Sequence, residues 1–195
     1  TTNFTFLTGA SHPEEMVTRA AELGLEAIAI TDRNSLAGVV RAYSALKILK
    51  DQAASDLEGA APAVLPKLIV GCRLVLRDST VDWVALPRDR GAYQRLTRLL
   101  TLGKRRAEKG DCVLYTKDMI PACKGMILIA LPQRSVKEAI PEIQSLRRHF
   151  PNSIFLGAAP RYDGSDQAYF DACAYQAQKT ASPMVAVGDV LMHRG

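Results

Sequence analysis

Short apolar runs rich in β-branched residues alternate along this chain with longer stretches in which apolar residues recur every three or four positions. The runs Glu26–Thr31, Lys67–Leu76, Val81–Leu86, Gly125–Leu131, Ser153–Ala158 and Met184–Val187 read as buried strands, and Asn3–Leu7 as a further strand opening the series. Helical periodicity marks residues 12–23, 35–49, 89–102, 134–149 and 165–180. Strands alternating with helices predict an α/β fold built of βαβ units, with a mostly parallel sheet that is either open or closed into a barrel.

Several boundaries carry a mechanism. Ser11-His12-Pro13-Glu14 reads as a capping box, in which the Ser11 hydroxyl takes an orphan amide of the first turn and Glu14 returns the bond. Gly24 supplies a left-handed stop, and Gly103 is expected to end the helix over 89–102 in the same way. The Ala-rich stretch Ala53–Val64, with Gly59 and Pro62, reads as a loose loop. The chain opens in strand-like sequence and stops just after His193-Arg194, so both ends read as cuts within a larger polypeptide.

Composition narrows the class. With 195 residues, 48% of them hydrophobic, the chain can build a real core, which excludes a largely disordered protein. No apolar run approaches the ~20 residues that span a bilayer, and no signal segment opens the chain. The net charge of +5 is mildly basic and is compatible with nucleic acid without requiring it. Cys72, Cys112, Cys123 and Cys173 are widely separated and form no CxxC pair, which points to reduced thiols in the cytoplasm. The histidines are only three, His12, His149 and His193, and no two are close in sequence.

Ligands in such folds gather at the C-terminal ends of strands. Asp32 follows the strand at 26–31, Arg73 follows Lys67–Gly71, and Asp189 follows 184–187. A carboxylate at such an end serves either as a metal ligand or as a helix cap. His193, four residues past Asp189, has a spacing that suits a metal, whereas His12 lies in a capping turn and His149 closes a basic helix end. Cys72 reads as core. From Arg88 to Lys109 the cations Arg88, Arg90, Arg95, Arg98, Lys104, Arg105, Arg106 and Lys109 face only Asp89 and Glu108. Ala92, Leu96, Leu99 and Leu100 form the apolar face of that helix, with Arg95 and Arg98 off it and Lys104-Arg105-Arg106 in the loop beyond Gly103. This segment is either a phosphate or partner contact or a solvated helix face with favourable charge at its C-terminus. No aromatic–basic alternation of the kind that stacks single-stranded bases is present.

Asn3-Phe4-Thr5-Phe6-Leu7-Thr8-Gly9-Ala10-Ser11, Ala27-Ile28-Ala29-Ile30-Thr31-Asp32-Arg33-Asn34-Ser35-Leu36-Ala37-Gly38, Pro66-Lys67-Leu68-Ile69-Val70-Gly71-Cys72-Arg73 and Gly188-Asp189-Val190-Leu191-Met192-His193 occur in the order of four motifs of one family. The chain resembles the PHP (polymerase and histidinol phosphatase) domain of bacterial C-family DNA polymerase III alpha subunits. The wording around Asp32-Arg33-Asn34-Ser35, Leu102-Gly103-Lys104-Arg105-Arg106 and Gly188–His193 is most similar to the error-prone, damage-tolerance branch. The resemblance covers nearly the whole chain and implies a distorted (β/α)7 barrel, truncated here at both ends, as a single domain over residues 1–195.

The resemblance also implies a site that binds up to three metal ions through histidines and carboxylates, and this chain departs from it. The family's first histidine would precede Thr1 and its second falls on Thr1. Arg33 replaces the histidine of the second motif, and Arg73 replaces the glutamate of the third. The histidine of a further family motif, lying between the third and the late one, falls near Asp82, and the histidine of the late motif Gly188–His193 falls on Leu191. Only Asp32 and Asp189 remain as ligand equivalents. Guanidinium has no lone pair to give and repels a cation, so two arginines aimed into the pocket would pair with Asp32, Asp82 or Asp189 in place of metal. The expectation is a catalytically inactive, metal-free module without a cofactor, serving a DNA-directed DNA polymerase as a structural and interaction domain. Its partners would be the polymerase domains of the parent chain, with DNA as a further partner of Arg88, Arg95, Arg98, Lys104, Arg105 and Arg106, and no membrane. The alternatives are a zinc- or manganese-dependent phosphoesterase, as a 3′–5′ exonuclease or phosphatase, and a plain DNA-binding module.

Overall fold

A computed structural model describes residues 1–55 and 65–194. It resolves into two compact units, Thr1–Cys72 with the segment from Val190 onward, and Arg73–Asp189. Among the described residues no helix is long and apolar enough to cross a membrane.

The first unit holds α1 (Pro13–Glu22), β1 (Ala27–Ile30), α2 (Ala37–Ser55) and β2 (Lys67–Val70). β1 and β2 pair in parallel, Ala27 with Lys67 through Ile30 with Val70. Helical spacing brings Val17 of α1 and Val39, Ala42, Ala45 and Leu46 of α2 onto Ile30, with Ile28, Leu68 and Val70 packed against them. The cap of α1 stands one residue later than the sequence implies. His12 is the N-cap, and its amide donates to Glu15 Oε2 (2.7 Å), so Glu15 rather than Glu14 closes the box. Ser11 instead holds the far end of the chain. Its Oγ meets His193 Nδ1 (2.8 Å) and accepts from the His193 amide (2.8 Å). Gly24 adopts the expected left-handed conformation, φ 65°. Ala53–Ser55 form the last turn of α2 and not a loop, while the rest of the expected loose segment, 56–64, lies outside the described residues.

The expected opening strand at Asn3–Leu7 is instead a series of tight turns, closed by Thr5 N to Thr2 O (2.9 Å) and Gly9 N to Thr5 O (3.1 Å). Alternation of apolar and hydroxyl residues reads as strand. Here it serves a different geometry, because both threonines turn inward while Phe6 and Leu7 point to solvent.

The second unit holds a five-stranded sheet in the order β3 (Cys72–Leu74), β4 (Val81–Pro87), β5 (Met126–Pro132), β6 (Ile154–Ala158) and β7 (Met184–Ala186), with Cys72 itself assigned to the first unit. Its helices are α3 (Arg90–Arg106), α4 (Thr116–Ala122), α5 (Val136–Arg147) and α6 (Asp166–Thr180). β4 and β5 are antiparallel, Val81 opposite Pro132 and Pro87 opposite Met126. β5, β6 and β7 run parallel. The strands therefore form a two-stranded parallel sheet and a mixed five-stranded one, and no closed barrel is found among the described residues. The long run at 67–76 breaks at Gly71 into β2 and β3, which enter different sheets.

Val84, Ile129 and Leu131 form the core of one sheet face, with Leu86, Phe155, Val185 and Val187 against them. Intervening residues Trp83, Leu128 and Leu156 are also fully buried, so the strands are covered on both faces and read as continuous apolar runs. The Trp83 indole N–H donates to Glu142 Oε1 (3.1 Å), which gives this buried ring its polar partner.

α3 buries Ala92, Leu96, Leu99 and Leu100, as its periodicity implies, and Asp89 caps it by accepting from Ala92 N (2.7 Å). Gly103 does not end this helix. It is buried within it, and a Cβ there would stand 2.6 Å from Cys112 Sγ and 2.7 Å from Leu114 Cδ2. The glycine thus serves close approach, and Lys104-Arg105-Arg106 form the last helical turn instead of a loop. α4 is absent from the sequence-based assignment, because seven residues interrupted by Pro121 give too little periodicity.

Candidate functional site

Of the candidate ligand positions, Asp32 belongs to the first unit and Arg73, Asp82 and Asp189 to the second. In the first, Asp32 follows β1 and is only 1% exposed. Its Oδ1 accepts from the Thr2 amide (2.6 Å) and the Thr5 hydroxyl (2.9 Å), and its Oδ2 from the Thr2 hydroxyl (2.8 Å). Three uncharged donors thus satisfy a buried carboxylate, and among the described residues no arginine pairs with it. Gly38 at the start of α2 leaves room for this arrangement, since a Cβ there would stand 2.6 Å from Asp32 Oδ2. Thr2 and Thr5 were not singled out by sequence reasoning. Their signal is a pair of hydroxyls three residues apart, which a tight turn points in one direction.

Arg33 does not pair with Asp32. Its side chain is exposed, and it joins the cluster only through its amide, which donates to Thr5 Oγ1 (3.0 Å).

The second unit brings Arg73, Asp82 and Asp189 together. Arg73 Nε donates to Asp82 Oδ2 (2.8 Å), and Nη1 to Asp189 Oδ1 (3.0 Å) and Oδ2 (3.1 Å). The Arg73 and Asp82 side chains are 13% and 8% exposed and Asp189 is more open at 36%. β3 and β4 supply the first two residues, and Asp189 lies beyond β7 with φ 41°. One guanidinium fork therefore engages two carboxylates from opposite ends of the unit's sequence.

His12 and His149 are exposed, and His193 Nδ1 is engaged by Ser11 with Glu15 Oε2 at 3.7 Å. Cys72, Cys112, Cys123 and Cys173 form no disulfide among the described residues. Burial pushes the Cys123 thiol up to about 12 and raises those of Cys112 and Cys173, which suits none of these three to nucleophilic work. The first unit also has a cleft of about 470 Å³, where Lys47, Lys50 and Lys67 surround Tyr43, Leu46 and Leu68.

The basic segment divides. Arg95 donates through Nε and Nη2 to Lys124 O and so anchors the turn before β5. Arg106 forms a bidentate pair with Asp118 (2.6 and 3.2 Å) and lies 5.4 Å from the Tyr115 ring centroid. That hydrogen bond is the main reason the Asp118 carboxyl is held below its ordinary range, with the Tyr115 amide adding to it. Arg88, Arg98, Lys104 and Arg105 are exposed.

The PHP domain family pattern matches residues 1–156, and the chain belongs to that family. Over its whole length it is 63% identical to an error-prone DNA polymerase of Ruegeria pomeroyi, covering 20% of that protein. It is 43% identical over 99% of its length to the error-prone DNA polymerase of Rhodopseudomonas palustris, covering 17% of it. The chain thus spans about a fifth or less of the length of these curated relatives. In fold it is similar to a phosphoesterase from Bifidobacterium adolescentis described as metal-dependent, with a TM-score of 0.60 and 14% identity over 98% of this chain and 85% of that one. An amidohydrolase from Chromobacterium violaceum, described with bound sulfate and no metal, gives a TM-score of 0.59, again at 14% identity, over 95% of this chain and 84% of that one.

The family implies a metal centre, and the residues here do not fit one. Both Asp32 oxygens already accept hydrogen bonds from the protein, and Asp82 and Asp189 share a guanidinium. Among the described residues no group of three or more His, Cys, Asp or Glu side chains could hold a metal ion.

Proposed function

We propose that this chain is the PHP module of an error-prone, DNA-directed DNA polymerase that works in the cytoplasm in damage-tolerant synthesis and repair. In this reading residues 1–195 form one PHP domain with the family's distorted (β/α)7 barrel plan. The module carries no phosphoesterase chemistry of its own and supports the polymerase domains of its parent chain. The relatives' names support the polymerase assignment.

The observation that carries the inactive-site reading is the Arg73 guanidinium between Asp82 and Asp189. A protein cation stands among the carboxylates, and a metal ion entering there would meet its repulsion. The test combines metal analysis of the purified protein with hydrolysis of bis-p-nitrophenyl phosphate and of a 3′-labelled oligonucleotide in zinc and manganese. The expected result is no stoichiometric metal and no turnover above background. Bound metal with turnover that disappears in Asp32→Ala would replace this reading with a metal-dependent phosphoesterase.

A further inference from the structure

Building on the reading of the chain as a polymerase module, we infer that the outer face of α3 docks the phosphate backbone of duplex DNA. Within Arg90–Arg106 there are six cations and no carboxylate. Burial of Ala92, Leu96, Leu99, Leu100 and Gly103 fixes which face is turned inward. Arg95 and Arg106 are held by Lys124 O and Asp118. Arg90, Arg98, Lys104 and Arg105 are exposed. At 100° and 1.5 Å per residue these four lie within about a third of the helix circumference and span ~22 Å of its length.

The ordinary account of a charged helix face does not cover this one. A solvated face usually alternates sign, so that neighbours at i and i+4 attract. The macrodipole accounts for Lys104 and Arg105 in the last turn. It does not account for Arg98 in the middle, and it disfavours Arg90 at the first position, where the helix end is already positive.

The chemistry of the face selects the partner. Protein interfaces centre on buried aromatic or aliphatic anchors. Here the exposed apolar residues, Tyr93 and Leu102, flank the face, and its middle is Gln94, Thr97 and Thr101. Thr97 and Thr101 donate to helix carbonyls, Gln94 O and Thr97 O, so their hydrogens are not available for reading bases. Tyr93 alone does not make a stacking series for a single strand. A run of cations along ~22 Å of helix, with no aromatic or aliphatic anchor in its middle, matches a duplex, which presents one charge per ~1.7 Å of axis.

The test is fluorescence anisotropy of a labelled 20-base-pair duplex with the 195-residue chain, between 50 and 200 mM salt. Two variants with equal loss of charge are compared. One is Arg98→Gln/Lys104→Gln/Arg105→Gln. The other removes exposed cations elsewhere in the second unit, Arg134→Gln/Lys137→Gln/Lys179→Gln. Circular dichroism and thermal melting verify that both fold. The expected result is saturable binding by the parent chain and at least tenfold weaker binding at 50 mM salt for the α3 variant. Its log K against log salt slope should also be shallower by about three, one for each phosphate no longer neutralised. The control variant should change the slope by less than one. Equal losses in both variants, no saturable binding by the parent chain, or tighter binding to a single strand or a polyglutamate peptide of equal charge would overturn the inference. None of these outcomes bears on metal content or phosphoesterase turnover, so the proposed function stands or falls separately.

Discussion

Arg73 Nε lies 2.8 Å from Asp82 Oδ2, and both side chains are largely withdrawn from water. A carboxylate in such a place is tolerated because its partner is there. Arg73→Ala leaves Asp82 buried and unpaired, at a cost of about 3–5 kcal/mol. The double variant Arg73→Met/Asp82→Leu removes both charges and should recover most of that loss. Urea unfolding of the parent, single and double variants measures this. A double variant no more stable than Arg73→Ala would mean that the pairing is not what the single change disturbs. Asp189, being more open, should matter less, with Asp189→Asn costing below about 1 kcal/mol.

Gly38→Ala inverts the usual rule for helices. Replacing glycine by alanine inside a helix ordinarily stabilises by about 1 kcal/mol. Here the new Cβ meets Asp32 Oδ2 at 2.6 Å, and that oxygen is held in place by the Thr2 hydroxyl. Overpacking of this kind costs about 1–3 kcal/mol, so the net effect should be loss of stability. Gly24→Ala has nothing within 4 Å of its Cβ, but φ is 65°, so it too should destabilise, through backbone strain alone. Thermal melts of the two variants should separate the causes: Asp32→Asn, by loosening the hydroxyl cluster, should soften the effect of Gly38→Ala and leave that of Gly24→Ala unchanged.

The Arg106–Asp118 pair should make stability fall at low pH. Asp118 has its folded-state value depressed, first by Arg106 and then by the Tyr115 amide. Its contribution is therefore present above the unfolded value of about 3.9 and is lost as pH falls through the lower folded value. Asp118→Asn removes the titrating group. The gap in melting temperature between parent and variant should be full at pH 7, begin to close near pH 4 and shrink further below it. A gap that is constant or widens on acidification would show that Asp118 does not act through its charge.

The sequence made the repeated core legible and left the polar geometry hidden. Every described strand falls on an apolar run visible in the chain, and the buried face of α3 can be read from Ala92, Leu96, Leu99 and Leu100. The sheet arrangement was not legible, because an apolar run such as Val81–Leu86 fits a parallel or an antiparallel neighbour equally well. Asp32, Arg73, Asp82 and Asp189 stood out as changed or retained motif positions, whereas their partners did not. Both arginines were expected to turn toward a carboxylate; Arg73 does and the Arg33 side chain does not, a difference of side-chain direction that the sequence does not carry. Gly103 carried the same ambiguity. A glycine near the end of a helical pattern signals a stop or a close approach, and only the position of Leu114 decides between them.

The Arg73 fork has one further property that an ion does not share. The contribution of a dissociable metal to a fold grows with its free concentration relative to its dissociation constant. A cation attached to the backbone is present at unit occupancy from the moment the chain folds, and dilution or chelation cannot remove it. Asp82 and Asp189 thus share a fixed counter-charge without recourse to mass action, and their arrangement should not change with the free metal concentration around the protein.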